Sequence, residues 1–337
     1  MHRVGNTITP RAFMLVAFTC LLRSAAMAED PWVVYEGKEG PGKGKNVVLI
    51  AGDDEYRSEE LIPQLGRILA VRQGFKCTVL FAVNKESGEI DMATLDNIPG
   101  LEALKTADLV IMHMRFRDLP DDQMKMILDY TNSGKPIMGL RTSTHAFNFN
   151  KNKTYAKWSF RSPDPKGGYG REVFGETWIN HYGHHNVEAT RGIVAPGQEK
   201  NPIVKGCEDI FGPSDVYALT TLEGDCKPVI LGQVLVGMNP TDAVNEKKPA
   251  IPVAWTKTYT GTEGKAARVF CTTMGHAGDL KSEGFRRLLV NAAFWCLGME
   301  DKIPDRAKVD FVGTYDPTPI GMNKFTKGVK PAALRLP

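Results

Sequence analysis

Short, wholly apolar runs recur along the first half of the chain, each closed by a turn signal and followed by a stretch of helical period. Residues 47–50 (VVLI) form such a run, stopped by Gly52. Over residues 59–71, Leu61, Leu65, Ile68 and Leu69 fall on one helical face. Pro63 fits only a first turn, which puts the helix start near Glu60. Residues 77–83 read as a second strand, 101–106 as a short helix and 109–112 (LVIM) as a third strand. A helix follows over 121–132, with Met124, Ile127 and Leu128 on its apolar face and Gly134 after it. Residues 136–140 make a fourth strand. Alternation of strand and helix at this spacing predicts an α/β fold, a doubly wound, mostly parallel sheet with helices on both faces. The unbroken apolar runs suit strands covered on both sides.

From Phe147 to Tyr182 the pattern breaks into a long segment rich in Asn, Lys, Gly and Trp, of the kind that is functional or mobile. Further strands are expected at 187–194, 229–236, 251–255 and 268–273. A last helix is expected over 283–297, with Phe285, Leu288, Leu289, Ala292 and Trp295 at helical spacing and Gly298 closing it. No repeat or linker divides residues 29–302, which read as one domain. Residues 303–337, with Pro and Gly throughout, read as an extended surface tail.

Candidate chemistry gathers just beyond the strands. Ligands bind at the carboxyl ends of strands in open parallel sheets, and four polar clusters should share that edge. Asp53, Asp54, Glu55 and Tyr56 follow the first strand. His113, Arg115 and Arg117 lie at the end of the third. Arg141, Thr142, Ser143, Thr144 and His145 follow the fourth, delivering a guanidinium, three hydroxyls and an imidazole in five residues. His276 and Asp279 follow the strand ending at Thr273. Any one cluster could be a satisfied loop, but strand direction alone would bring all four together.

Six of the seven histidines lie beyond residue 28, three of them in His181-Tyr182-Gly183-His184-His185. That spacing can give two ligands to zinc or another divalent ion, with Glu176, His276 or a first-loop Asp completing the set. The other reading is a polar lining for sugar hydroxyls. Trp158, Tyr169, Trp178 and Tyr182 would suit stacking on sugar faces or anchoring the segment to the core. The turn after the fourth strand holds no Cys and no Gly-x-Ser-x-Gly, so Ser143 or Thr142 would need a base such as His276 within reach to act as a nucleophile.

The first 28 residues carry Arg3 and Arg11, an apolar run over 12–22 and the small-x-small triplet Ala26-Met27-Ala28. This is the form of a cleavable export signal, with the mature chain starting near Glu29 in the periplasm or outside the cell. The run is too short for a resident membrane span, and Thr19-Cys20 makes a poor lipoprotein box. No later run is long enough to insert in a membrane. Arg3, Arg11 and Arg23 account for the whole formal charge of +3, leaving the remainder neutral. No basic block or aromatic-interleaved stripe points to nucleic acid. Five cysteines remain (Cys77, Cys207, Cys226, Cys271 and Cys296) with no Cys-x-x-Cys pair. Cys207 and Cys226 could pair in an oxidising compartment, and the other three sit in apolar runs.

The chain resembles the trehalose-utilisation (ThuA-like) family. The pieces that carry the resemblance are residues 49–56 (LIAGDDEY), 139–147 (GLRTSTHAF), Asn201-Pro202-Ile203 with Gly206, and 252–255 (PVAW). Arg268-Val269-Phe270 with Gly275-His276 and the Trp-containing helix to Gly298 complete the match. The resemblance implies the class I glutamine amidotransferase superfamily and its flavodoxin-like sheet. It also implies that Arg141 stands where that superfamily places a nucleophilic Cys, which excludes glutamine hydrolysis through a thioester. His276 would fall where that superfamily places its base. The family implies catabolism of disaccharides, through keto-sugar intermediates, with a small carbohydrate as partner. On that expectation Arg141 binds a carbonyl or hydroxylate oxygen, and His276 is the general acid or base. Asp53, Asp54, Glu55, Tyr56, Arg115, Thr142, Ser143, His145 and Asp279 line the substrate. His181, His184 and His185 are the candidate metal ligands. A non-catalytic sugar-binding module on the same scaffold is the alternative.

Overall fold

The computed structural model describes residues 1, 2, 5, 30–219 and 221–336. Apart from residues 1, 2 and 5, the stretch read as an export signal lies outside the described residues. The strands are β1 (Trp32–Tyr35), β2 (Asn46–Gly52), β3 (Lys76–Phe81), β4 (Leu109–Met114), β5 (Ile137–Leu140), β6 (Thr190–Val194), β7 (Ile210–Gly212), β8 (Lys227–Val234), β9 (Ile251–Thr260) and β10 (Ala266–Thr272). The principal helices are α1 (Ser58–Gln73), α2 (Asp121–Asn132) and α3 (Glu283–Cys296). All ten strands join one sheet in the order β1-β3-β2-β4-β5-β10-β9-β8-β6-β7.

The sheet is mixed, which corrects the expectation of a mostly parallel one. Its centre, β3-β2-β4-β5-β10, is parallel, while β1 on one side and β9, β8, β6 and β7 on the other pair antiparallel. The cause lies in the connections. Parallel neighbours need a crossover of a dozen residues or more, and helices occupy the gaps between β2, β3, β4 and β5. Between β9 and β10 only residues 261–265 intervene, with Gly264 at φ 72°, which permits a hairpin and no crossover. That hairpin also carries β9 five residues beyond its expected end at Trp255.

β4 and β5 are buried along their whole length, as central parallel strands must be. α1 begins at Ser58, two residues before the expected start, so Pro63 lies inside the helix and not in its first turn. The segment from Phe147 to Tyr182 forms short helical turns at Ala156–Trp158 and Gly170–Phe174. It is pinned to the sheet where the buried Trp255 donates its indole N–H to the Phe174 carbonyl at 2.7 Å. Phe174 packs against Gly139 of β5, where a Cβ would lie 2.6 Å from the ring.

Residues beyond Ile303 form turns and irregular segments with one short helical turn at Pro331–Leu334, and they are tied to the domain. The Tyr315 hydroxyl donates to the Ala277 carbonyl at 2.8 Å, Ile90 N–H donates to the Val329 carbonyl at 2.8 Å, and Arg67 reaches the Leu334 carbonyl at 2.8 Å. Cys207 and Cys226 are free thiols, as are Cys77, Cys271 and Cys296, so the disulfide considered above is not formed. Cys207 donates to the Ile203 carbonyl and Cys226 to the Glu223 carbonyl, each a local contact. Among the described residues no helix is long and apolar enough to cross a membrane.

Because Gly139 makes room for the Phe174 ring, Gly139→Ala should overpack the centre of the sheet by about 1–3 kcal/mol. Chemical denaturation should show a lower midpoint at an unchanged slope; an unchanged midpoint would mean that Phe174 moves aside freely.

Candidate functional site

β5 ends at Leu140 and the chain turns at once through Arg141, whose φ of 44° lies in the left-handed region. A non-glycine residue held there is strained and persists only where its surroundings over-determine it. Here the side chain supplies that constraint. The guanidinium is fully buried and donates through Nη1 to the carbonyls of Asp215 and Thr273, both at 2.6 Å. Through Nη2 it donates to Asp215 Oδ1 at 2.9 Å. Its flat faces lie between two aromatic rings, 3.7 Å from the Tyr217 centroid and 4.4 Å from that of Tyr56. Its Nε–H is buried without a partner, but with both terminal nitrogens engaged and the side chain fully buried, Arg141 serves as an internal clamp.

The carboxylate that it clamps was not singled out from sequence. Asp215 is buried, yet each oxygen faces an imidazole. Oδ2 is 2.6 Å from His181 Nδ1, and Oδ1 is 3.0 Å from His185 Nδ1. Burial raises the Asp215 pKa, but the Arg141 charge and the two imidazole hydrogen bonds outweigh it and hold the carboxyl well below the usual range. Segment 180–183 is drawn against 216–218 by backbone hydrogen bonds, Tyr182 and Gly183 both donating to the Val216 carbonyl. Gly183 permits the approach, since a Cβ there would meet Asp215 Cβ at 3.2 Å. The Tyr-Gly spacing between the histidines thus follows from contact with Asp215.

Charge continues outward from this core. His185 Nε2 lies 3.5 Å from Glu55 Oε1, and Arg115 stands 3.3 Å from Glu55 Oε2 and 3.6 Å from Asp54 Oδ1. Burial raises the Glu55 pKa, with Arg115 opposing. Aromatic walls close the site: Trp178 packs against His181 and His145, and Tyr217 against His181. The Trp178 indole N–H is buried without a hydrogen-bond partner.

The remaining sequence candidates support this arrangement from behind. Asp53 Oδ1 accepts from Tyr56 N–H at 2.6 Å and shapes the first loop. Ser143 donates to the Met112 carbonyl at 2.7 Å, which ties the turn to β4, and Thr142 is buried beside it. His145 is buried, its Nδ1 3.2 Å from the Thr144 hydroxyl; burial, then the Arg115 and Arg141 charges, hold its pKa well below normal. His113 is buried with neither ring nitrogen hydrogen-bonded, and burial with the Arg141 charge lowers its pKa to about 3.

Two expected roles do not match their surroundings. His276 was the expected acid or base, but Nδ1 accepts from Gly278 N–H at 3.0 Å and Nε2 donates to the Thr318 carbonyl at 3.3 Å. It caps a short helical turn, and Asp279 completes the capping box while accepting from the Ser214 hydroxyl at 2.6 Å. His184 is exposed, and its backbone N–H is held by Glu188 at 2.7 Å. It is not among the ligand-type groups gathered at Asp215.

Three ligand-type atoms from His181, His185 and Asp215 lie within 4.8 Å of one another. Imidazole and carboxylate in this number suit a borderline divalent ion such as zinc. With protons on both Nδ1 atoms, the same geometry makes two Asp-oriented imidazoles whose Nε2 atoms can accept a proton. Asp215 and Tyr217 left a faint trace in the sequence, a polar run after an apolar one at 210–217. β7 is only three residues long, too short to stand out.

A family model described as ThuA, trehalose utilisation, matches residues 46–296. Among solved structures, the chain is similar to a ThuA-like protein from Parabacteroides merdae, with 15% identity and a TM-score of 0.49 over 76% of this chain and 90% of that one. A ThuA-like protein from Bacteroides uniformis shows 17% identity and a TM-score of 0.45 over 77% and 93%. No curated protein matches the chain.

Asp215→Ala leaves the buried Arg141 charge unpaired and should lower unfolding stability by about 3–5 kcal/mol. Because the Asp215 pKa is depressed on folding, its contribution is complete above the unfolded-state value, about 3.9, and is lost as pH falls below it. Acid titration of stability should show this loss in the parent protein and not in the variant; parallel curves would refute the linkage.

Proposed function

The chain belongs to the trehalose-utilisation (ThuA) family, whose model spans most of it, and from that premise we propose that it acts enzymatically on a glycoside or keto-sugar. The observation that carries this reading is the convergence of His181 and His185 on one buried, arginine-clamped carboxylate, Asp215. Around it stand a half-buried carboxylate and aromatic walls of the kind that sugar faces stack on. The order of the parallel block, β3-β2-β4-β5-β10, supports a flavodoxin-like ancestry with the site at the carboxyl edge. The strained turn at Arg141 supports placement in the amidotransferase-like superfamily. That turn holds no thiol, so glutamine hydrolysis is not proposed.

His181, His185 and Asp215 would hold a divalent ion. Bound there, such an ion polarises a sugar carbonyl or hydroxyl oxygen as a Lewis acid. The acid–base role moves from His276 to Glu55, whose raised pKa and place beside His185 suit proton abstraction. With a ketone on the sugar, the adjacent C–H is acidic. Glu55 takes that proton, the C–H electron pair becomes a C=C bond, and the glycosidic C–O bond on the next carbon breaks. The departing oxygen recovers the proton from Glu55. Arg115 orients the Glu55 carboxylate, and Trp178 and Tyr217 shield the step from water. We further propose that the chain is exported and matures near Glu29, which intact-mass measurement of the secreted protein would check.

Turnover of plain and 3-keto disaccharides, with and without added zinc, tests the reading. The parent should consume the keto form, and Glu55→Gln should lose at least 100-fold in kcat while still binding the sugar. His276→Asn should retain most turnover once folded. Binding of sugar with no product from any substrate or ion would instead establish a binding module.

A further inference from the structure

A cavity of about 350 Å3 lies where the chain leaves the histidine cluster, bordered by Asn186 and Pro213. Phe211, Pro213, Met238, Pro319 and Ile320 supply its walls, and His276, already hydrogen-bonded at both nitrogens, closes one side. Several borders are shared with the site. Asn186, which directly follows His185 and turns the chain at φ 60°, lines the cavity. Pro213 lies two residues before Asp215. Gly321, next to Ile320, donates its N–H to the Glu55 carbonyl at 2.9 Å, and Glu55 in turn faces His185. The tail wall has a second anchor away from the site: Thr318 donates to Glu60 through its N–H at 2.8 Å and its hydroxyl at 2.6 Å.

We propose that this cavity binds the apolar or aromatic leaving group of a glycoside whose sugar ring occupies the histidine cluster. The inference rests on the sugar reading above and names the substrate class that it lacks. The walls are mainly Phe, Met, Ile and Pro, and of the polar residues at the border His276 and Thr318 already spend their side-chain hydrogen bonds within the chain, which leaves Asn186 and Lys281. An aromatic group therefore suits the cavity better than a second sugar ring, whose lost hydrogen bonds to water would go largely unreplaced. An aromatic ring with small substituents fits the volume, which falls within the range of small-molecule sites. The chain order is apt as well, since the bond to be broken would lie at the border formed by His185-Asn186 and Glu55.

Equilibrium binding of three probes to the full chain decides the matter: methyl 3-keto-β-glucoside, phenyl 3-keto-β-glucoside and phenol. The phenyl glycoside should bind about tenfold tighter than the methyl one, the scale expected for enclosing an aromatic ring. Met238→Ser and Ile320→Ser, on separate segments, should each erase most of that preference and leave the methyl glycoside unchanged. Equal affinities in the parent, or a preference that survives both substitutions, would overturn the proposal while leaving the sugar reading intact. If phenol alone binds, is lost in Ile320→Ser, and neither glycoside binds, the apolar cavity stands and the sugar reading falls.

Discussion

The buried pair between Arg141 and Asp215 is the constraint on which the candidate site depends. Both side chains are fully shielded from bulk solvent, and each charge is compensated by the other. The pair joins the turn after β5 to the segment after β7, which lie far apart in sequence and are separated by four strands in the sheet. Stacking of the guanidinium between Tyr56 and Tyr217 adds the first loop to the same knot. Three chain segments are thereby locked around one charge pair, and the left-handed backbone at Arg141 is sustained by those contacts.

This arrangement divides labour by depth. The deepest layer is fixed charge, with Arg141 and Asp215 neutralising one another. Above it His181 and His185 take their orientation from Asp215, a carboxylate–histidine relation of the kind that sets tautomer and ring angle in metal and acid–base sites. The outer layer, Glu55 with Arg115, is partly exposed and free to respond to a ligand. Rigid support below and adjustable groups above is the usual condition for a site that orients its substrate.

Much of the parallel centre was legible in the sequence, because the runs at 47–50, 109–112 and 137–140 are apolar without interruption and alternate with helical period. The antiparallel half was not, since β6, β8 and β9 carry the same apolar content and only the lack of helices between them signals their direction. Strand-end reasoning brought out Glu55, Tyr56, Arg115 and Arg141, and histidine spacing brought out His181 and His185. It gave Arg141 to a ligand, whereas the guanidinium is hydrogen-bonded within the chain, and the two situations are written identically in a sequence. It placed His276 on chemistry, although Gly278 two residues later offers the N–H that makes it a cap. Asp215 was missed because its strand is three residues long and its partners lie in another segment.

The central claim is that Arg141 acts through Asp215 to pre-orient two imidazoles and does not itself bind ligand. Zinc affinity of the parent and of Arg141→Met, compared at one pH on protein verified as folded, tests it most directly. Loss of such a supporting contact should weaken zinc binding by about 10- to 100-fold. Unchanged zinc affinity in a folded Arg141→Met protein would contradict the claim and return Arg141 to the ligand.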